Sequence, residues 1–241
     1  MPSETSALGS SLISNAAVPR PRSLSLARLW FPAVMLLLGV YVGLPWLAPA
    51  FMRLGFERPA EIIYAVYSTQ CHQLSQRSIF LFGPKAMYSA AELRNLAGVD
   101  TEVVSLRNFI GSPDLGWKVA WSDRMVSLYT SIFVFGLLAR LLRRRLEPLP
   151  IWAFILLALP MAIDGGTHFL SDFAGLGEGF RDQNAWLAAL TGNLLPTSFY
   201  VGDALGSFNS WMRMLTGVLF GLGIVWTAFP HIERSLAPVE S

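Results

Sequence analysis

Four stretches of the chain are apolar at nearly every position, and polar or mixed segments separate them. Leu29 to Met52 carries no charged residue. A helix of about 20 apolar residues spans a bilayer, so this stretch predicts a first transmembrane helix. Met125 to Ala139 is the second run, extended by Leu141 and Leu142. Ile151 to Ile163 opens the third, which continues through Asp164 and His168 to Leu170. Met214 to Pro230 is the fourth. The expected spans are about 29–52, 120–142, 149–171 and 210–230. A competing reading of the first run is a cleavable leader, because Ala48-Pro49-Ala50 fits the small-residue cleavage pattern.

Residues 59–83 are half apolar. Ile62, Ile63, Val66 and Tyr67 make a stripe, but an unbroken polar run from Ser68 to Gln73 follows it. Backbone exposed to lipid must be helical, and so polar a surface suits no lipid-facing span. The pattern predicts a re-entrant or interfacial helix packed against the bundle. Residues 85–117 read as a soluble helical excursion. Ser89 followed by Glu92 is a capping box. Asp100 is the expected cap of a second short helix reaching Phe109, stopped by Gly111 and Pro113. Residues 171–208 form a loop bearing Gly, Asp and Ser, with one short helix near 184–190. The fold class is therefore all-α: a polytopic bundle of four transmembrane helices, a re-entrant or interfacial helix and an outer-side helical excursion.

Composition agrees with a chain that folds in lipid. Of the 241 residues, 53% are hydrophobic and 14% charged, where soluble domains are about a quarter charged. Basic residues lie at the span ends: Arg20, Arg22 and Arg28 before the first, and Arg140 with Arg143–Arg145 after the second. Such clusters mark the cytoplasmic side. The expectation is a cell-membrane protein with both termini cytoplasmic, residues 1–28 a disordered tail, 29–232 the membrane domain and 233–241 a second tail. Residues 52–120 and 171–210 then lie outside. Partners are the lipid bilayer and, left open, a second copy or another membrane protein; no basic tract suggests nucleic acid. Gly217-x-x-x-Gly221 is a small-residue packing motif, read first as packing within the chain and second as a dimer face. Phosphate-loop, dinucleotide and haem-attachment motifs do not occur.

This topology brings sequence-distant polar residues to one depth. Asp123 and Arg124 fall at the outer end of the second span, Asp164 and His168 in the outer part of the third, and Asn209 and Arg213 at the outer end of the fourth. Cys71 and His72 join them from the re-entrant segment. Ionisable groups within a membrane are costly and need a partner or a cavity. Asp164 and His168 stand four apart and share a helical face, and the glycines between them permit close approach of another chain segment. Cys71, His72, Asp164 and His168 are a zinc-compatible donor set, with Asp123 as a further ligand or base. The plainer alternative is that Asp164 pairs with Arg124 or Arg213 and locks the helices together. As chemistry, Asp164, His168 and His72 are the candidate catalytic groups of an interfacial enzyme acting on a lipid-linked or extracytoplasmic substrate. Arg77, Arg124, Arg213 and Asn209 are the candidate binding groups of an anionic-solute or lipid module. A structural accessory subunit is the third reading.

Three blocks carry a family resemblance: Cys71-His72-Gln73 with Arg77-Ser78, Asp164-Gly165-x-Thr167-His168, and Asn209-x-x-x-Arg213-x-x-Thr216-Gly217. In order and over about residues 60–230, they resemble the prokaryotic membrane family termed domain of unknown function 2085. The resemblance implies a polytopic membrane protein and transfers no activity. One further block of the family reads Cys-x-Arg-Cys-x-Gly-Ile-Tyr. Arg124 and Tyr129 match it, but Ser122 and Met125 stand where it has cysteines. A thiolate-rich metal or redox site is thereby undercut, and His168, in place of the family's Gln, supplies an imidazole instead.

Overall fold

The computed structural model describes residues 26–142 and 146–236, with side chains from Leu29 onward. Of the expected tails, 1–25 and 237–241 lie outside the described residues, as do Arg20 and Arg22, the side chain of Arg28, and Arg143–Arg145; 26–28 and 233–235 are helical and extend the first and last spans. Among the described residues, four helices are long and apolar enough to cross a membrane: α1 (Leu26–Arg53), α5 (Asp123–Leu142), α6 (Ile151–Asp172) and α10 (Phe208–Ser235). The protein is a membrane protein by this criterion, and its class is helical.

Helices α5 and α10 run parallel at the centre. Gly217 and Gly221 let them touch. A Cβ on Gly217 would come within 2.2 Å of the Ser127 hydroxyl, and one on Gly221 within 2.1 Å of that of Ser131. The small-residue motif is thus consumed inside the chain. Helix α6 returns antiparallel along α10, where Gly223 faces Phe154 and Leu157. Helix α1 returns along α5, with Met35 against Gly136 and Tyr41 edge-on to Tyr129. Residues 54–122 and 173–207 therefore gather at one end. The α5–α6 turn lies at the other, with the start of α1 and the end of α10, where the Trp226 indole donates to the Glu147 carbonyl at 3.0 Å.

The polar end is more elaborate than an all-helical reading allows. The short α2 (Glu57–Tyr67) packs on α1 through Ala60, Ile63, Tyr64 and Tyr67. At 11 residues it is about 16 Å long and cannot cross. Its chain continues into β1 (Ser78–Leu81), then α3 (Ala90–Ala97), α4 (Val103–Asn108), β2 (Gly111–Ser112) and β3 (Gly116–Ser122). The strands form an antiparallel sheet in the order β1-β3-β2. The expected helical excursion thus contains a small sheet, and residues 120–122 belong to its central strand rather than to a span. Lys118 in this strand rules out a lipid-facing helix there, and Gly116 takes a positive φ of 80° where its backbone meets Gly83. The Ser89–Glu92 capping box forms as expected. Helix α4 starts instead behind Glu102, so Asp100 caps nothing. Leu74, Phe80, Tyr88, Leu93, Val99, Leu106, Leu115 and Leu176 make a separate core beneath this subdomain. After α6, the chain forms α7 (Phe180–Gln183), α8 (Ala185–Leu190) and α9 (Thr197–Tyr200) before entering α10.

Candidate functional site

The polar end of the bundle is organised around four arginines and four aspartates. Asp123 opens α5 and is almost fully buried. It accepts from Arg213 Nε at 2.8 Å and 3.0 Å and from the Ser210 hydroxyl at 3.3 Å. The same guanidinium reaches Asp203 Oδ1 at 2.5 Å and the Asp203 carbonyl at 2.7 Å. Asp203 accepts in turn from Arg77 Nε at 2.8 Å, and Arg77 grips Asp172 with two donors at 2.9 Å and 2.7 Å. One continuous chain of ion pairs, Asp123–Arg213–Asp203–Arg77–Asp172, therefore ties α5, α10, the 200–207 loop, the β1 approach and α6 together. Burial works against both charges of the Arg77–Asp203 pair. The paired carboxylates nevertheless raise the Arg77 guanidinium, and Arg77 with Arg213 holds the Asp203 carboxyl below its ordinary range.

The second centre is Asp164. Arg124 donates to its Oδ2 at 2.8 Å and Arg181 to its Oδ1 at 2.6 Å. The glycine after Asp164 is what admits Arg124, since a Cβ on Gly165 would stand 2.7 Å from Arg124 Nη1. Close approach at the Asp-Gly pair is thus made by a guanidinium, not by a backbone. Arg181 also reaches His168 Nε2 at 3.2 Å. A guanidinium has donors only, so this imidazole nitrogen accepts and the proton sits on Nδ1. His168 Nδ1 is buried and has no protein partner.

Between these two centres lies a cavity of about 420 Å³. Arg77, Arg124, Arg213 and His168 line it together with Leu74, Val103, Met125, Phe169 and Leu176. Cys71 and His72 are on its wall, as is Asp172. Of the sequence-derived candidates, Arg77, Arg124, Arg213, His168, Cys71 and His72 thus come to one cavity. Asn209 does not. It is fully buried, donates to the carbonyls of Arg181 and Gly202 at 2.7 Å and 3.0 Å, and accepts from Asn184 at 3.2 Å. It holds the 181–202 loop to α10 and has no binding role in this arrangement.

The zinc-ligand set of Cys71, His72, Asp164 and His168 does not fit a metal. Among the described residues no group of three or more His, Cys, Asp or Glu side chains is close enough to hold one. Asp164 has given both oxygens to guanidinia, which also denies it the role of a free base. Cys71 Sγ contacts the Ser122 hydroxyl at 3.5 Å, and Met125 lines the same cavity. The two positions where the family resemblance puts cysteine therefore stand beside Cys71, but Ser122 and Met125 supply no thiolate.

Arg181, Asp203 and Asp172 are the site residues that sequence reasoning missed. All three lie within or next to the 171–208 loop, where charges look like ordinary solvated loop positions. Charge counting gave no signal for them, because Asp123, Arg124, Asp164 and Arg213 balance as two pairs among themselves. Lys118 was also missed. Fully buried, its ammonium donates to the carbonyls of Gln73 and Arg107, each at 2.7 Å, and to the Ser75 hydroxyl at 3.3 Å. Burial without a carboxylate pushes it down to about 7. It ties the 73–75 segment of the cavity wall to the sheet.

Comparison with known proteins agrees with this architecture. The family model described as "Predicted membrane protein (DUF2085)" matches residues 114–227. The match contains Asp123, Arg124, Asp164, Arg181, Asp203 and Arg213, so most of the ion-pair system falls inside it. An uncharacterised protein of Methanocaldococcus jannaschii, MJ1492, is 30% identical over 145 residues, 57% of this chain and 69% of that protein. No solved structure matches the chain.

Proposed function

The chain belongs to the DUF2085 family of predicted membrane proteins, and for this member we propose that the cavity between the two ion-pair centres binds the anionic head group of an amphiphile. The observation that carries the reading is the lining of one cavity of about 420 Å³, in which three guanidinia and an imidazole stand with five apolar side chains. Asp172 is the one carboxylate in that lining; Asp123, Asp164 and Asp203, which pair the guanidinia, lie outside it. Pockets of this size with few placed polar groups and a largely apolar lining are the usual form of small-molecule sites.

The donors are unevenly engaged. Arg77 and Arg213 spend all three guanidinium nitrogens on carboxylates or a carbonyl. Arg124 spends one, Nη2. Its remaining N–H groups are the donors left for a phosphate or carboxylate, with Leu74, Met125 and Phe169 receiving the start of an acyl or prenyl chain. Charge-assisted bonds from a planar guanidinium suit such oxyanions. No bond-breaking step is assigned, because the carboxylate that sequence reasoning offered as a base is committed to Arg124 and Arg181. With both termini cytoplasmic, as the basic residues flanking α1 and α5 suggest, the head group enters from the outer leaflet.

The test uses purified protein in a neutral maltoside detergent. Dodecyl phosphate raises the melting temperature saturably, as a ligand of the native state must; inorganic phosphate does so only at far higher concentration. Arg124→Gln keeps Asp164 paired with Arg181, and its response is read from its own ligand-free melting temperature; it needs at least about tenfold more dodecyl phosphate for the same shift, about 1.4 kcal/mol of lost binding. Equal responses of wild type and variant would sink the proposal.

A further inference from the structure

Between Asp182 and Asp203 the chain runs for 20 residues without a charge. The stretch contains α8 and α9, and as a loop between spans it was expected in water. Its surface does not suit water. Leu190 and Leu194 are 77% and 85% exposed, and Trp186, Leu195 and Val201 are exposed beside them. Asn184 is fully buried, and Tyr200 is buried with its hydroxyl on Thr191 Oγ1 at 2.5 Å, whereas Asn193, Thr197 and Ser198 stay at the surface beside the leucines.

The depth of this lobe is fixed by what it holds. Arg181, four residues before α8 begins, donates to Asp164 at 2.6 Å and to Thr167 at 3.3 Å. Asp164 lies eight residues before the end of α6, which is about 12 Å down the helix axis. The Arg181 side chain covers that distance, because its backbone N–H donates to Ser171 Oγ in the last turn of α6 at 3.0 Å; α8 therefore starts near the level where α6 ends. Exposed apolar residues stand at the same ends of the flanking spans, Phe169, Leu170 and Phe173 at the end of α6 and Trp211 and Leu215 at the start of α10.

The backbone meets the condition that lipid imposes. Non-helical backbone at membrane depth must be satisfied within the protein. The turn after α8 does this at five successive N–H groups. Thr191 donates to Leu187 O at 2.9 Å, Gly192 to Ala189 O at 3.3 Å, Asn193 to Ala188 O at 2.9 Å, Leu194 to Thr191 O at 3.3 Å and Leu195 to the Tyr200 hydroxyl at 3.1 Å. A water-exposed loop has no need to bond each of these internally.

We infer that residues 185–201 are an interfacial lobe seated in the leaflet at the site end, with Leu190 and Leu194 in contact with lipid. The sequence offered residues 59–83 for a re-entrant or interfacial role. The α2 helix turns Ile63, Tyr64 and Tyr67 into the core it shares with α1 and β3 and leaves Ile62 and Val66 exposed, whereas the 183–202 stretch exposes Trp186, Leu190, Leu194, Leu195 and Val201 without a charge among them.

The experiment places a fluorophore at one position on each of the two connections. Cys71→Ser with Leu194→Cys, and Cys71→Ser with Leu96→Cys, are labelled with an environment-sensitive dye in nanodiscs; Leu96 is an exposed residue of α3. Both sites are solvent-facing in the fold, so neither substitution disturbs packing, and monodisperse elution confirms it. The dye at 194 is expected to be quenched by nitroxide-labelled lipid and to be at least about fivefold less sensitive to aqueous iodide than the dye at 96, as burial into the acyl region requires. Equal iodide quenching at the two sites places the lobe in water and overturns the inference. Protection at 194 from both quenchers means that another protein surface covers it, which also overturns it.

Discussion

The two connections at the polar end of the bundle are built inside out with respect to each other. Residues 54–122 hide an apolar core of Leu74, Phe80, Leu93, Leu106 and Leu115 beneath a surface carrying Lys85, Glu92, Arg94 and Asp100. Residues 173–207 bury Arg181, Asp182, Asn184, Asp203 and Ser207, and show Trp186, Leu190 and Leu194 to the outside. The first is how a segment folds in water, where burial of apolar surface drives assembly. The second has no such drive at its surface and is held by charge-assisted hydrogen bonds among groups with nowhere better to go. One chain of 241 residues thus meets two solvents at the same end of one bundle, and the cavity draws its guanidinia from the first connection and two spans, Arg77, Arg124 and Arg213.

This contrast can be broken from either side. The largest effect is expected from Arg181→Met. It leaves an oxygen of the buried Asp164 without its partner and removes the anchor of the lobe, and breaking one side of a buried pair costs about 3–5 kcal/mol. Thermal unfolding in detergent measures it, and a loss below about 1 kcal/mol would mean that the lobe is held otherwise. Leu106→Ala strikes the water-facing connection through its core. Leu106 is fully buried, so about 2–4 kcal/mol is expected from lost transfer energy and the residual cavity. The cavity lining from α5 and α6 should survive that change, so dodecyl phosphate should still shift the melting temperature of the variant.

The smallest effect, taken per pH unit, is a slope. Lys118 is held down to about 7 in the folded protein by burial, and an unfolded lysine titrates at about 10.4. Between those values the unfolded chain binds the extra proton, so stability rises with pH by up to about 1.4 kcal/mol per unit. Lys118→Met should flatten the curve over pH 7–10 relative to wild type. An unchanged difference across that window would show that Lys118 keeps its proton when buried. Asp182 contributes at lower pH with the opposite trend: burial raises it to about 6, so its stabilising share is complete below about 4 and is lost as pH rises through 6.

The sequence alone carried the bundle. Long charge-free or nearly charge-free runs leave few alternatives to membrane helices, and the capping box at Ser89 and the glycine pair at 217 and 221 act through neighbours a few residues away, which is why they were legible. It also carried the convergence of Arg124, Asp164 and Arg213 at one depth, because spans of fixed rise translate sequence position into height. Tertiary structure decided the rest. The sheet around Lys118 depends on pairing of β1 with a strand about 40 residues away, and no local periodicity announces a seven-residue strand that is buried on both faces. Arg181 and Asp203 became site residues only because the loop after α6 folds back onto its last turn. The partner of an intramembrane charge is set by which segment returns within reach of it, and that is a property of chain path and packing, not of spacing along the chain.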